Sequence, residues 1–259
     1  MTILDKIIAY KHKEVSVKKE AFPVSVLKKS LHFSRNTVSL AHAVRISETG
    51  IIAEHKRRSP SKSNINEKVL VQDVAKGYEN AGVSGMSVLT DTNFFGGSLD
   101  DLLLVRNVTS FPLLRKEFII DEYQIFEAKA YGADAILLIA ACLSEKQIKE
   151  FSATAKKLGL DVLLEVHNQN ELEKSLFPTI DMMGVNNRNL KTFEVSLETS
   201  KELSDRIPSE FVKISESGID SVEAIRELKE YGFQGFLIGE TFMKTKNPGK
   251  AAKQFIISL

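Results

Sequence analysis

Five charged residues follow short apolar runs of the sequence at the points where buried strands would end. They are Glu54, Lys56, Lys116, Glu165 and Glu216. If the strands are parallel and close into a barrel, their carboxyl ends meet at one rim and these side chains converge there. Carboxylate and ammonium groups crowded into a buried site shift one another's pKa values, which is what acid–base catalysis uses. The pattern therefore predicts an acid–base site, and a purely structural ring of salt bridges is the alternative.

Glycine-containing turns follow the last two apolar runs, at 216–218 and 239–240. Glycine lets backbone N–H groups approach an anion closely, and barrels frequently bind phosphate after their last two strands. These turns therefore predict a phosphate site, with ordinary strand–helix turns as the alternative. Arg188 and Lys56 could supply positive charge to that site.

Three other patterns are weaker candidates for chemistry. Glu165 and His167 would share a strand face and could ligate a metal, but no second histidine lies at a matching strand end, so no metal site is predicted. The basic residues at 54–62 could form a nucleic-acid patch, but the run directly follows a buried strand and no second basic cluster flanks it. Cys142 has no histidine nearby in sequence, which favours a buried or rim thiol over a nucleophile.

The elements that must position these residues follow a regular rhythm. Eight short apolar runs recur about 20 to 35 residues apart, as strand–helix units would. They lie at 51–53, 86–89, 112–114, 135–139, 162–164, 182–185, 211–214 and 235–238. Segments 122–131, 144–158 and 221–231 between them end before glycine, as helices often do. Eight such units predict an α/β fold of the (β/α)8 TIM barrel type. An open doubly wound sheet is the alternative, but no Gly-x-Gly-x-x-Gly turn follows the first run.

The first 46 residues differ from the rest of the chain. Their mixture of isoleucines and lysines is typical of an amphipathic helix, and Pro23 can open a second helix. We expect an N-terminal helical extension at 1–46 and a single catalytic barrel domain at 47–259. Because the eight-unit rhythm is complete from Ile51 onward, the extension is not expected to support the core of the barrel. Its modest length and many lysines predict a loosely docked element.

The composition excludes several classes of protein. The 259 residues carry 35 basic and 34 acidic side chains, a net charge of +1, which argues against a nucleic-acid or membrane-surface partner. A single cysteine excludes an intrachain disulfide framework. No apolar run approaches the roughly 20 residues of a membrane span, and the start lacks a signal-peptide pattern. We therefore expect a cytoplasmic protein, and no fused second enzyme beyond the eighth unit.

The same residues and their neighbours resemble the indole-3-glycerol phosphate synthase family of tryptophan biosynthesis. The matching stretches occur in family order at every predicted strand end except the fourth. They lie at 52–62, 87–91, 94–98, 114–119, 164–167, 184–190, 215–219 and 238–240. The most specific of them is Glu-x-Lys-x-x-Ser-Pro-Ser at 54–61. Ser63, Glu117 and Ser196 depart from the family, which usually has glycine, aspartate and aspartate there.

The resemblance implies a carbon–carbon lyase that closes the indole ring of 1-(2-carboxyphenylamino)-1-deoxyribulose 5-phosphate with loss of carbon dioxide and water. It implies no cofactor and no metal. Lys116 would be the general acid, Lys56 would hold the substrate carboxylate or donate a proton, and Glu165 would be the base for dehydration. Glu54 would orient the two lysines. Which lysine serves which proton step stays open.

The resemblance also implies which residues bind the substrate. Phe94 and Phe118 would contact the anthranilate ring, while Asn186, Arg188 and Glu216 would bind the remainder of the substrate, its sugar hydroxyls included. The phosphate end would be lined by Ser59, Ser217, Gly218, Gly239 and the backbone of Glu240. Transient contact with other enzymes of tryptophan biosynthesis is expected.

Two other functions are alternatives to this one. The first is another phosphosugar barrel enzyme, either a Schiff-base aldolase that uses Lys116 or a metal-dependent epimerase. The second is a non-catalytic barrel that binds a phosphorylated ligand.

Overall fold

The fold, seen in a computed structural model that describes residues 2–259, is built on a closed barrel of eight parallel strands. The strands are β1 Ile51–His55, β2 Gly85–Leu89, β3 Leu113–Lys116, β4 Ala135–Ile139, β5 Asp161–Val166, β6 Met182–Asn186, β7 Val212–Glu216 and β8 Gly235–Ile238. Each strand pairs with the next, and β8 pairs with β1. Each of the eight apolar runs overlaps a strand, so the predicted TIM barrel is confirmed.

Helices surround the strands and precede them. They are α1 Ile3–Ala21, α2 Val24–Leu27, α3 Leu40–Ile46, α4 Val71–Ala81, α5 Leu99–Val108, α6 Tyr123–Ala130, α7 Glu145–Lys157, α8 Gln169–Glu173, α9 Glu198–Ser204, α10 Val222–Glu230, α11 Glu240–Met243 and α12 Pro248–Ile257. The hydroxyls of Ser144 and Ser221 cap α7 and α10, so these helices begin one residue inside the predicted segments. Within residues 2–259, no helix has both the length and the apolar character needed to cross a membrane.

The barrel interior is filled in layers by side chains from alternate strands. Four apolar residues of β1, β3, β5 and β7 share one interior cluster. They are Ile52, Leu114, Leu163 and Ile214. Residues two apart on a strand point to the same face, so the next inward side chains on these strands are Glu54, Lys116, Glu165 and Glu216. The charged layer therefore rests directly on an apolar one.

Helix α3 closes the amino-terminal end of the barrel. Its Leu40 and Val44 are buried in the same interior cluster as the apolar layer. Two glycines make room for them: a Cβ on Gly85 would lie 2.5 Å from Leu40 Cδ1, and one on Gly235 would lie 3.1 Å from Val44 Cγ1. Helix α3 is therefore part of the barrel core, and the expectation that the extension is loosely docked is wrong for this helix. The physical reason is that an unplugged barrel end would leave the interior layers open to water.

Helix α1 lies at the opposite end, where Ile3, Leu4 and Ile7 line the mouth of the barrel. Lys11 of this helix is only 1% exposed. Its Nζ lies 3.0 Å from Asp91 Oδ2 and 3.0 Å from Glu117 Oε1, which follow β2 and β3. Burial alone would lower the pKa of Lys11, but these carboxylates raise it above its usual range. A buried ion pair network therefore fastens α1 to the loops after β2 and β3.

Candidate active site

A cavity of about 380 Å³ opens at the carboxyl ends of the strands. It is lined by every predicted site residue except Phe94. These residues are Glu54, Lys56, Ser59, Lys116, Phe118, Glu165, Asn186, Arg188, Glu216, Ser217, Gly218, Gly239 and Glu240. The register of the closed barrel thus brings together residues that are up to 186 positions apart in the chain, because all of them end or follow a strand.

Lys116 lies at the centre of the charged layer. Its Nζ donates a hydrogen bond to Glu216 Oε2 and lies 3.7 Å from Glu165 Oε2. Burial alone would lower the pKa of Lys116, but Glu216, Glu165 and Glu54 together raise it above its usual range. Lys116 is therefore a protonated, preoriented donor that faces the cavity.

Glu54 pairs with the second lysine of the site. The Lys56 Nζ lies 2.7 Å from Glu54 Oε1, and the Ser87 hydroxyl donates to Glu54 Oε2 at 3.4 Å. Burial would raise the pKa of Glu54, but Lys56 and Lys116 outweigh it and hold that pKa below its usual value. Glu54 therefore stays ionised between the two lysines and fixes where Lys56 lies.

Glu216 is a buried carboxyl group whose pKa is raised. Burial raises its pKa to about 7, against the opposing effect of Lys116. Its Oε1 has no hydrogen-bond partner among residues 2–259. A Cβ on Gly184 would lie 2.6 Å from that atom, so this glycine provides the space that the carboxyl group occupies. Glu216 can therefore accept a hydrogen bond from a ligand in the cavity.

Glu165 is contacted by Asn186 at the end of β6 and by His167, which directly follows β5. Asn186 Nδ2 donates to its Oε1 at 3.1 Å, and His167 Nε2 lies 3.3 Å from the same oxygen. The sequence analysis considered Glu165 and His167 as metal ligands and predicted no metal site. In the described part of the chain, no group of three or more His, Cys, Asp or Glu side chains is arranged to hold a metal ion.

The turns after β7 and β8 form one side of the cavity. Ser217 and Gly218 both have positive φ angles, 69° and 76°, so successive backbone N–H groups can point to the same side of the turn. A Cβ on Gly218 would collide with Val195, which explains glycine at that position. Lys62 Nζ lies 2.6 Å from Glu240 Oε1 and ties the loop after β1 to the turn after β8.

The aromatic wall of the cavity differs from the predicted one in one residue. Phe118 lines it together with Phe95, whose ring centroid lies 5.9 Å from that of Phe118. Phe94 lies outside the lining and packs edge-on against Tyr10 of α1. Both residues follow β2 in a loop, where strand alternation gives no rule for choosing between two adjacent phenylalanines.

Lys11 is a charged residue near the site that the sequence analysis did not single out. The buried residues of α1 are Ile7, Lys11 and Val15. Their spacing of four places them on one helix face. A lysine in the middle of an otherwise apolar stripe is the signal that could have revealed a buried ion pair.

Comparisons with known proteins agree with this arrangement. A model of the family described as indole-3-glycerol phosphate synthase matches residues 4–255. A protein of that name from Bacteroides thetaiotaomicron is 46% identical over 254 residues, which cover 98% of this chain and 97% of the relative. One from Polaromonas naphthalenivorans is 41% identical over 253 residues, 96% of each chain.

Solved structures of other barrels are similar in fold. KGPDC from Streptococcus mutans has a TM-score of 0.60 at 12% identity, over 80% of this chain and 95% of that one. A chain of the tryptophan synthase a2b2 complex from Pyrococcus furiosus has a TM-score of 0.58 at 15% identity, over 80% and 96%. At these identities the likeness shows the barrel fold alone.

Proposed function

The chain belongs to the indole-3-glycerol phosphate synthase family and is a carboxy-lyase, and from this premise we propose how its barrel mouth carries out the reaction. The ring carbon of 1-(2-carboxyphenylamino)-1-deoxyribulose 5-phosphate that bears the carboxylate attacks the ribulose carbonyl carbon. Loss of carbon dioxide and then of water gives indole-3-glycerol phosphate. The observation that carries the proposal is the charged interior layer, because this reaction needs proton donors and a base around one small substrate.

Lys116 is the general acid of the ring closure. It is protonated, faces the cavity and is held by Glu216. It donates a proton to the carbonyl oxygen as the new carbon–carbon bond forms, which prevents an alkoxide from building up. The surrounding carboxylates then favour its return to the charged form, so each turnover begins from the same state.

Lys56 holds the substrate carboxylate until it leaves as carbon dioxide. Its contact with Glu54 keeps the ammonium group at the cavity wall. The hydroxyl formed at the former carbonyl carbon then leaves as water after a second proton transfer, which either Lys56 or Lys116 can supply. Glu165 takes the proton from the adjacent carbon, and the indole ring becomes aromatic.

The remaining lining residues position the substrate. Asn186 and Glu216 hydrogen-bond the sugar hydroxyls, and Phe118 packs against the anthranilate ring together with Phe95. The phosphate end lies against Ser59, the Ser217–Gly218 turn, Gly239 and the backbone of Glu240. Arg188 adds positive charge at that end.

Gly239 lies between the phosphate end and the acid–base groups. A small substitution there tests whether this residue matters for catalysis or for phosphate binding. A Cβ at this position would lie 2.7 Å from Glu54 Oε1 and 3.1 Å from Glu54 Cβ. We expect Gly239→Ala to displace Glu54 and lower kcat by about 10- to 100-fold, as misplaced catalytic groups do. Inhibition by inorganic phosphate should change little. A variant with normal kcat and weakened phosphate inhibition would place Gly239 in phosphate binding alone.

The proposed reaction is tested by the appearance of indole fluorescence when the synthetic substrate is added. The chain contains no tryptophan, so the product signal is free of indole emission from the protein. We expect turnover that is unchanged by EDTA. Loss of indole formation in EDTA would show a metal requirement that the proposed mechanism does not have, and trapping of the substrate on Lys116 by borohydride would show a Schiff base in place of general acid catalysis. Tight substrate binding without turnover would indicate a non-catalytic barrel.

We further propose that the enzyme acts in the cytoplasm, where its charged phosphate-ester substrate is made and retained. Because the product is consumed by a later step of tryptophan biosynthesis, transient contact with other enzymes of that pathway is part of this proposal. Co-sedimentation of the chain with those enzymes, with and without substrate, would test it.

A further inference from the structure

We propose that His167 and Glu171 form a proton relay that exchanges protons between Glu165 and solvent. The proposal rests on the proposed function, in which Glu165 is the base of the dehydration step. His167 would act through Glu165 and would not touch the substrate, so it is a positioning residue with a transport role.

The geometry places one imidazole between two carboxylates. His167 Nδ1 lies 3.1 Å from Glu171 Oε2, and the backbone N–H of His167 donates to the same oxygen at 2.8 Å. On the other side of the ring, Nε2 lies 3.3 Å from Glu165 Oε1. At this distance Nε2 makes no hydrogen bond among residues 2–259, either with Glu165 or with another group, so a small rotation of the ring is what aligns it with Glu165 Oε1.

The three groups also form a path from the interior to the surface. The side chains of Glu165, His167 and Glu171 are 4%, 12% and 16% exposed. Glu165 lines the cavity, whereas neither His167 nor Glu171 belongs to its lining. A substrate that fills the cavity would cover Glu165 but would leave the route through His167 and Glu171 open.

The stoichiometry of the proposed reaction requires such a route. The substrate carboxylate leaves as neutral carbon dioxide, so the organic product carries one negative charge less and one proton must be taken up. In terms of side chains, lysine donors supply two protons to the oxygen that leaves as water, and Glu165 recovers one from carbon. One proton must therefore enter the site from solvent in every turnover.

The charges around His167 suit it to deliver that proton. Burial alone would lower the pKa of His167, but Glu171, Glu165 and Glu216 raise it above its usual value. In the relay step the N–H bond at Nε2 breaks as an O–H bond forms at Glu165 Oε1. The neutral ring keeps its proton on Nδ1, so the ring then rotates to turn the bare Nε2 towards Glu171, which passes it a proton from water and restores the imidazolium. Glu165 Oε2 lies 3.7 Å from Lys116 Nζ, so the proton can restore the lysine.

The test compares the rate of a single turnover with the steady-state kcat. A fully loaded enzyme starts with protonated lysines and an ionised Glu165, so its first turnover needs no proton from the relay. We expect His167→Gln to keep a single-turnover rate close to the parent's, while steady-state kcat falls by at least about tenfold, less than the loss of a direct acid or base. Imidazole in the buffer should restore kcat. His12→Gln, at an exposed position of α1, is the matched control and should behave as the parent.

Equal losses in the single turnover and the steady state would show that His167 merely orients Glu165 and would overturn the relay. No loss in either would overturn it as well. Glu171→Gln removes the outer carboxylate and should likewise keep the single-turnover rate while steady-state kcat falls. This second variant keeps the test valid if His167→Gln folds poorly. A Glu165→Gln variant that still dehydrates in a single turnover would contradict the proposed function itself, whatever His167 does.

Discussion

Replacement of Lys116 by methionine is expected to reduce kcat by at least the roughly 10²–10⁴-fold that a general acid contributes. Methionine keeps much of the length and apolar stem of the side chain, so the substrate should bind with nearly unchanged affinity. Indole fluorescence measures the turnover, and titration with a nonreacting substrate analogue measures the affinity. Lys146→Met is the control, because that side chain is 83% exposed at the surface.

The variant also removes the cation that three carboxylates share, and breaking a buried ion pair can cost about 3–5 kcal/mol. Lys116→Met in a Glu216→Gln background relieves part of this charge imbalance, so thermal unfolding of both variants separates stability from catalysis. A folded Lys116→Met enzyme with close to normal turnover would remove Lys116 from the mechanism.

Two truncations of the N-terminal extension are expected to have different outcomes. Deletion of residues 2–21 removes α1 and the Lys11 ion pairs, so KM should rise because the mouth of the cavity loses its cover, while the barrel stays folded. Deletion of residues 2–46 also removes Leu40 and Val44 from the barrel interior. Truncating one buried leucine to alanine costs about 2–5 kcal/mol. Because a domain has only about 5–15 kcal/mol of stability, the longer truncation should lose cooperative folding.

Circular dichroism and urea unfolding on the same samples, followed by kinetics, would distinguish these outcomes. A folded and soluble chain that lacks residues 2–46 would show that α3 is dispensable to the core. A fully active chain that lacks residues 2–21 would show that α1 plays no part at the mouth.

The sequence was sufficient for the barrel because the evidence for each strand is local. An apolar run, a polar residue at its end and a glycine before the next run can all be read within a few residues. The closure of eight such units then brings the strand ends together without further information. For the same reason, all but one of the predicted site residues line the cavity.

The parts that the sequence did not reveal depend on contacts between distant elements. The fit of Leu40 against Gly85, and of Val44 against Gly235, is a match of shapes that no local pattern encodes. Phe95 lines the cavity in place of Phe94 within a turn in which Asp91 accepts the N–H groups of both residues, and the choice between these adjacent side chains depends on the three-dimensional shape of that turn. Lys11 was not singled out because its carboxylate partners Asp91 and Glu117 lie 80 and 106 residues further on.

The stacking of the charged layer on the apolar one divides the barrel into parts that can change independently. Each charged residue of the layer lies two positions beyond a core side chain of the same strand, as Glu54, Lys116, Glu165 and Glu216 do. The packing of the apolar layer therefore determines where these charged side chains lie. The groups proposed to contact the ring and the phosphate lie instead largely in the loops and turns that follow the strands. Adaptation to a different substrate can therefore proceed by exchanging these loops, whereas the reaction chemistry is inseparable from the stability of the fold.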